Sequence, residues 1–120
     1  MKARAVAVLM VAAVLSMPMT ARAEMKAVNI TGYCLKGTTA SGTETHEGMC
    51  AYRREDIGKI ARVYDADKNL IGEFAIEDTG RKGGKVRKGE TVDIWRPTKE
   101  DCYQMTQKGF IEVVEKGETE

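Results

Sequence analysis

The stretch Leu70-Ile71-Gly72-Glu73-Phe74-Ala75-Ile76-Glu77-Asp78-Thr79-Gly80 decides the fold class. Leu70, Gly72, Phe74 and Ile76 share one face, and Ile71, Glu73, Ala75 and Glu77 the other, the period of two that a β-strand imposes. Upstream, Ile60–Tyr64 is separated from it by Asp65-Ala66-Asp67-Lys68-Asn69, a run of turn formers, so the two segments read as the arms of a hairpin. Downstream, Thr91-Val92-Asp93-Ile94-Trp95 alternates again, with Val92 and Ile94 opposite Thr91, Asp93 and Trp95. Val28 and Ile30 alternate within Ala27–Tyr33.

One helix is expected after these strands. Thr98 in Pro97-Thr98-Lys99-Glu100-Asp101 is a capping residue, and Asp101 three positions on suits the positive helix end. The helix should run to about Lys108 and stop at Gly109, followed by a last strand, Phe110–Glu115, and a polar tail. Short strands with little helix in fewer than 100 residues predict a mainly β domain, a small closed barrel rather than a sandwich.

The amino terminus carries Lys2 and Arg4, an apolar run from Ala5 to Leu15, and the small-x-small triplet Ala21-Arg22-Ala23. A bilayer core of ~30 Å needs about 20 apolar residues, so residues 1–23 read as a removable signal peptide rather than an anchor. The exported remainder, residues 24–120, is then one domain, addressed to the cell envelope or secreted, with no stable membrane insertion after cleavage. Taking Lys2, Arg4 and Arg22 from the 19 basic residues leaves 16 against 18 acidic, a balance of −2. Such mixed charge gives no electrostatic case for nucleic acid.

Cys34, Cys50 and Cys102 can be oxidised in an exporting compartment. Three thiols allow at most one bridge. Cys34–Cys50 is preferred because it closes a loop of about 15 residues, worth roughly 3 kcal/mol in the chain-entropy account, with Cys102 open as an alternative partner. The spacing matches no zinc pattern and His46 is the only histidine, so a structural metal is not expected.

The chemistry is expected at aspartates. His46, in Thr45-His46-Glu47-Gly48, reads as a solvated loop residue rather than a base. Gly83-Gly84, among Arg81, Lys82, Lys85, Arg87 and Lys88, matches no Walker or dinucleotide pattern and reads as a flexible solvated loop. Asp78 follows a strong strand, and Asp93 lies inside an apolar one beside Trp95. A carboxylate so placed is costly unless it is paired or has a task. The bland reading is that each caps a turn or accepts backbone hydrogen bonds. If the two converge, like charge and burial raise one pKa and create a neutral acid near pH 7, which glycosidic-bond cleavage requires.

Thr31-Gly32-Tyr33-Cys34, Thr39-Ala40-Ser41-Gly42-Thr43, Gly48-Met49-Cys50-Ala51, Glu77-Asp78-Thr79-Gly80 and Val92-Asp93-Ile94-Trp95, in that order, resemble the three-aspartate (3D) domain. That family is similar to the carboxy-terminal part of the MltA-type lytic transglycosylases and to stationary-phase survival and resuscitation-like cell-wall proteins. The resemblance implies a six-stranded double-psi β-barrel acting on peptidoglycan glycan strands. Its implied reaction cleaves the bond between N-acetylmuramic acid and N-acetylglucosamine with a 1,6-anhydro product and no cofactor. It implies Asp93 as general acid/base and Asp78 as its neighbour. Tyr33, Thr39, Ser41, Gly42, Thr79 and Gly80 would form the groove wall, and Trp95 either a stacking face or a core residue.

Two departures from the family pattern bear on activity. Where its first aspartate is expected stands Arg53, with Glu55 and Asp56 as nearby substitutes. The interval from Asp78 to Asp93 is also longer, the extra residues forming the basic glycine loop. These departures keep open a wall-binding module without catalysis, of the expansin-like or RlpA-like kind. The Asp78-Thr79-Gly80 motif also allows a retroviral-type aspartic protease, against which stand Arg81 after the motif and its late position. The active form is expected to be a monomer.

Overall fold

The computed structural model describes residues 24–117; the signal-peptide reading of residues 1–23 lies outside the described residues. Among the described residues six strands, β1 (Met25–Tyr33), β2 (Met49–Tyr52), β3 (Ile60–Asp65), β4 (Leu70–Thr79), β5 (Thr91–Trp95) and β6 (Gln107–Val114), are joined by one helix, α1 (Lys99–Met105), and a single 3-10 turn, Arg54–Asp56. The domain is mainly β. The mixed sheet closes in a ring in the order β1-β5-β2-β4-β3-β6. β1–β5 and β2–β4 are parallel, and every other pair is antiparallel.

The expected hairpin is present: Ile60 faces Ala75, Ala61 faces Phe74 and Val63 faces Gly72. Its turn is tied by the Asp65 carboxylate, which accepts from the backbone N–H groups of Asp67 and Asn69, both at 2.9 Å. Lys68 there takes the left-handed conformation, φ 67°, a strain the two aspartate bonds offset. Inside the ring the core gathers Val28, Ile30, Cys50, Tyr52, Ala61, Val63, Ile76, Val92, Ile94 and Ile111.

The helix begins as read, with the Thr98 hydroxyl accepting from the Asp101 N–H at 3.1 Å, but it ends at Met105 rather than near Lys108. Gly109 is not its stop signal. It is a β6 residue opposite Asp65 on one side and Val28 on the other. A Cβ there would run into the Tyr64 carbonyl oxygen and approach Ile30 Cδ1 to 2.8 Å. Glycine is required because two neighbours crowd the strand, and β6 accordingly starts at Gln107, three residues earlier than expected. Gly32 of β1 is equally constrained, since its Cβ would lie 2.8 Å from Cys102 Cα, which seats α1 directly on β1.

Candidate acid site

The parallel pairing of β1 with β5 sets Thr31 opposite Asp93 and Tyr33 opposite Trp95. On the far side of β5, Ala51 of β2 is opposite Asp93, and the same Ala51 is opposite Asp78 of β4. Thr31, Asp93, Ala51 and Asp78 therefore form one row across four strands. Neighbouring strands lie about 4.8 Å apart, so the two aspartate backbones are roughly 10 Å apart, a span their side chains reduce. A shift in register between Cys50 and Ala51 brings Asp78, rather than Glu77, into the row, a strand irregularity of the kind that re-aims side chains.

The two carboxylates have different surroundings. Asp93 Oδ1 accepts from the Thr31 hydroxyl at 2.9 Å. Asp78 Oδ1 accepts from the backbone N–H of Ala40 at 3.0 Å and of Thr79 at 2.9 Å, and its Oδ2 from the Tyr33 hydroxyl at a long 3.5 Å. Burial pushes the Asp93 carboxyl above its usual range; the Thr31 bond pulls the other way, and the charge of Asp78 adds to the rise. Burial likewise raises the Tyr33 phenol, with Asp78 and then Asp93 next among the causes. Among the described residues no hydrogen bond joins the two aspartates to each other, and Tyr33, whose hydroxyl reaches Asp78, is under the charge of both. The site is a half-buried pair of unlike carboxyls, one kept toward its neutral form by desolvation.

The segment after β1 folds over the end of β4. Thr39, Ser41 and Thr43 share hydroxyl hydrogen bonds of 2.8 to 3.1 Å. Thr43 donates to Glu77 Oε1 at 2.7 Å, the Ser41 N–H donates to the Glu77 carbonyl at 3.1 Å, and Ala40 reaches Asp78. Thr39 is thus a buried support of the loop rather than a groove hydroxyl. Ser41 is exposed beside it, and Gly42 turns the loop at φ 92°. The Thr79 hydroxyl is buried with no hydrogen-bond partner among the described residues. A side chain at Gly80 would meet Val86, its Cβ 2.9 Å away. His46 is exposed as expected, yet its Nε2 pairs with Glu77 at 2.9 Å. Its pKa is raised, first by the bond to the Glu47 carbonyl and then by that to Glu77.

Three further expectations change. Trp95 offers no stacking face: it is 7% exposed and its indole N–H donates to the Leu35 carbonyl at 2.8 Å. Neither Glu55 nor Asp56 is engaged with the acid pair. Asp56 is 1% exposed and its carboxylate is engaged by Arg53 Nε at 2.7 Å and Lys59 Nζ at 3.4 Å, while Glu55 faces Arg53 at 3.7 Å. The Cys34–Cys50 bridge is absent, all three thiols being free. Cys50 points into the core with no exposure, whereas the side-chain neighbour of Cys34 is Cys102, whose thiol is raised by burial first and by Cys34 second.

Thr31 and the Ala40 N–H were not singled out from sequence as partners of the aspartates. Thr31 lies 62 residues from Asp93, and only the parallel β1–β5 pairing joins them. Comparison with protein-family models, curated proteins and solved structures finds no significant match to this chain.

Proposed function

We propose that this chain is a diverged member of the three-aspartate family, its ring a double-psi β-barrel, exported to act on peptidoglycan as a lytic transglycosylase. The observation that carries the reading is the unequal pair: Asp93, with its carboxyl raised chiefly by burial and then by the charge of Asp78, and Asp78, an acceptor of two backbone N–H groups.

In the reaction, neutral Asp93 donates its proton to the glycosidic oxygen as the bond from that oxygen to the anomeric carbon of N-acetylmuramic acid breaks. The same sugar's 6-hydroxyl oxygen then bonds to the anomeric carbon and returns its proton to Asp93. Atoms balance without water, and the enzyme ends as it began. One carboxyl serves as acid and then base, the economy that an internal nucleophile allows. Asp78 tunes that carboxyl through its charge, and Thr31 positions it.

The test is incubation of the exported domain with purified sacculi and mass spectrometry of the released muropeptides. Anhydro ends should form, and Asp93→Asn should reduce them by about 100-fold or more. A second reading, wall binding without cleavage, is favoured by the engagement of Asp56 with Arg53 and Lys59, which leaves two aspartates where the family has three. Binding to sacculi without new anhydro ends would establish that reading instead.

A further inference from the structure

A cavity of about 950 Å³ does not include the aspartates in its lining but shares Thr31 and Gly80 with their surroundings. It begins at Thr31, whose hydroxyl holds Asp93, and at Gly80, which closes the Asp78-Thr79-Gly80 run. From there it is walled by Arg81, Lys85 and Lys88 of the segment between β4 and β5 and by Lys108 of β6, with Glu90 the one acid on its lining. None of these four cations has an ion-pair partner among the described residues, although Arg53, Lys59 and Arg62 elsewhere all do. Four unpaired cations against one acid, in a domain whose acids otherwise slightly outnumber its bases, make this groove locally positive.

The segment is a series of closed turns. Gly84 N–H bonds the Arg81 carbonyl at 2.9 Å, Lys88 N–H the Gly84 carbonyl at 3.1 Å and Glu90 N–H the Lys85 carbonyl at 3.0 Å. Arg87 Nε donates to the Gly80 carbonyl at 3.0 Å, anchoring the segment to the end of the Asp-Thr-Gly motif. The basic wall is thereby tied to the end of the strand that carries Asp78, and Arg81, Lys85, Lys88 and Lys108 line the same depression.

Building on the proposed function, we propose that this groove binds the carboxylates of an acidic peptide attached to the sugar that sits over Asp93. A peptide carried on that sugar leaves its 6-hydroxyl free to attack. An anionic polymer attached through the 6-hydroxyl would remove the nucleophile, so the cationic wall is matched to a peptide's carboxylates. Flexible lysines on a half-open wall give each contact modest strength, so recognition comes from several cations acting on several carboxylates.

The test uses a soluble disaccharide-tetrapeptide muropeptide and the same compound with its carboxylates amidated, titrated into the exported domain by NMR. The free-carboxylate form should bind about 3- to 10-fold more tightly, with the largest amide shifts at Gly83, Gly84 and Lys85. The preference should collapse in Lys85→Ala/Lys88→Ala and at high salt. Equal affinity for the two forms, or shifts confined to residues outside the groove, would overturn the proposal. Cleavage of sacculi is read separately: anhydro products with no carboxylate preference refute the groove and leave the reaction standing, and carboxylate-dependent binding without anhydro products does the reverse.

Discussion

The pair that Arg53 makes with the buried Asp56 is open to a sharp test. Asp56 is 1% exposed, whereas the Arg53 and Lys59 side chains are 38% and 35% exposed. Removing either side of such a pair therefore has unequal consequences. Arg53→Met leaves a buried carboxylate with only the 3.4 Å contact to Lys59. The cost of stranding a buried charge is about 3–5 kcal/mol, which the remaining lysine brings down to roughly 2–3. Asp56→Asn instead leaves two cations that rehydrate, and its cost is the lost charged hydrogen bond, about 1–2 kcal/mol. In a domain of this size 1 kcal/mol moves Tm by about 4–8 °C, so Arg53→Met should melt about 10 °C or more below the parent and Asp56→Asn about half as far. Urea unfolding of both single variants and the double variant at pH 7 measures this, and the double variant should be more stable than the sum of the singles by at least about 1 kcal/mol. Additive effects, or a greater cost for Asp56→Asn than for Arg53→Met, would refute the pairing argument. Asp56→Asn assayed below its Tm should still cleave sacculi; normal folding with lost cleavage would place Asp56 in the acid site.

Further outcomes follow from the acid site and the thiols. Thr31→Val removes the bond that lowers the Asp93 pKa, so the alkaline limb of the cleavage profile, where the acid loses its proton, should move to higher pH; an unchanged or lower limb would contradict the assignment. Because the Asp93 pKa is higher folded than unfolded, the folded chain holds more protons across the window from the unfolded value, about 3.9, up to the folded one, and stability falls as pH rises through it. Asp93→Asn should abolish that slope and melt above the parent at neutral pH, and a variant less stable than the parent there would count against a desolvated carboxyl. Oxidation by a small-molecule disulfide, which takes up the two electrons and is itself reduced to thiols, should link Cys34 to Cys102, adding roughly 4 kcal/mol in the chain-entropy account. Peptide mapping that finds Cys34–Cys50 instead would overturn the contact made across Gly32.

Local regularities were readable and non-local ones were not. The β3–β4 hairpin was legible because alternation and the Asp65–Asn69 turn chemistry agree within one short segment. β2 gave no period-two signal of its own: all four of its residues are buried, and it entered the reading only through the motif that includes Gly48. Gly109 was ambiguous because a glycine after a helical stretch and a glycine under a crowding strand look alike in sequence; the Tyr64 carbonyl that decides between them is 45 residues away. The two aspartates were legible because a carboxylate inside an apolar strand demands an explanation, whereas Thr31, an ordinary strand residue, carries no such signal. Trp95 was undecidable from its strand alone, since its burial depends on the Leu35 carbonyl it reaches across the fold.

The central claim is that the nucleophile belongs to the substrate and the acid is Asp93. Digesting sacculi in water labelled with heavy oxygen tests this most directly. The account predicts new glycan ends that are anhydro, one water lighter than hydrolysed ends and free of label, and that disappear in Asp93→Asn. Labelled reducing ends, or anhydro ends that persist in Asp93→Asn, would contradict it.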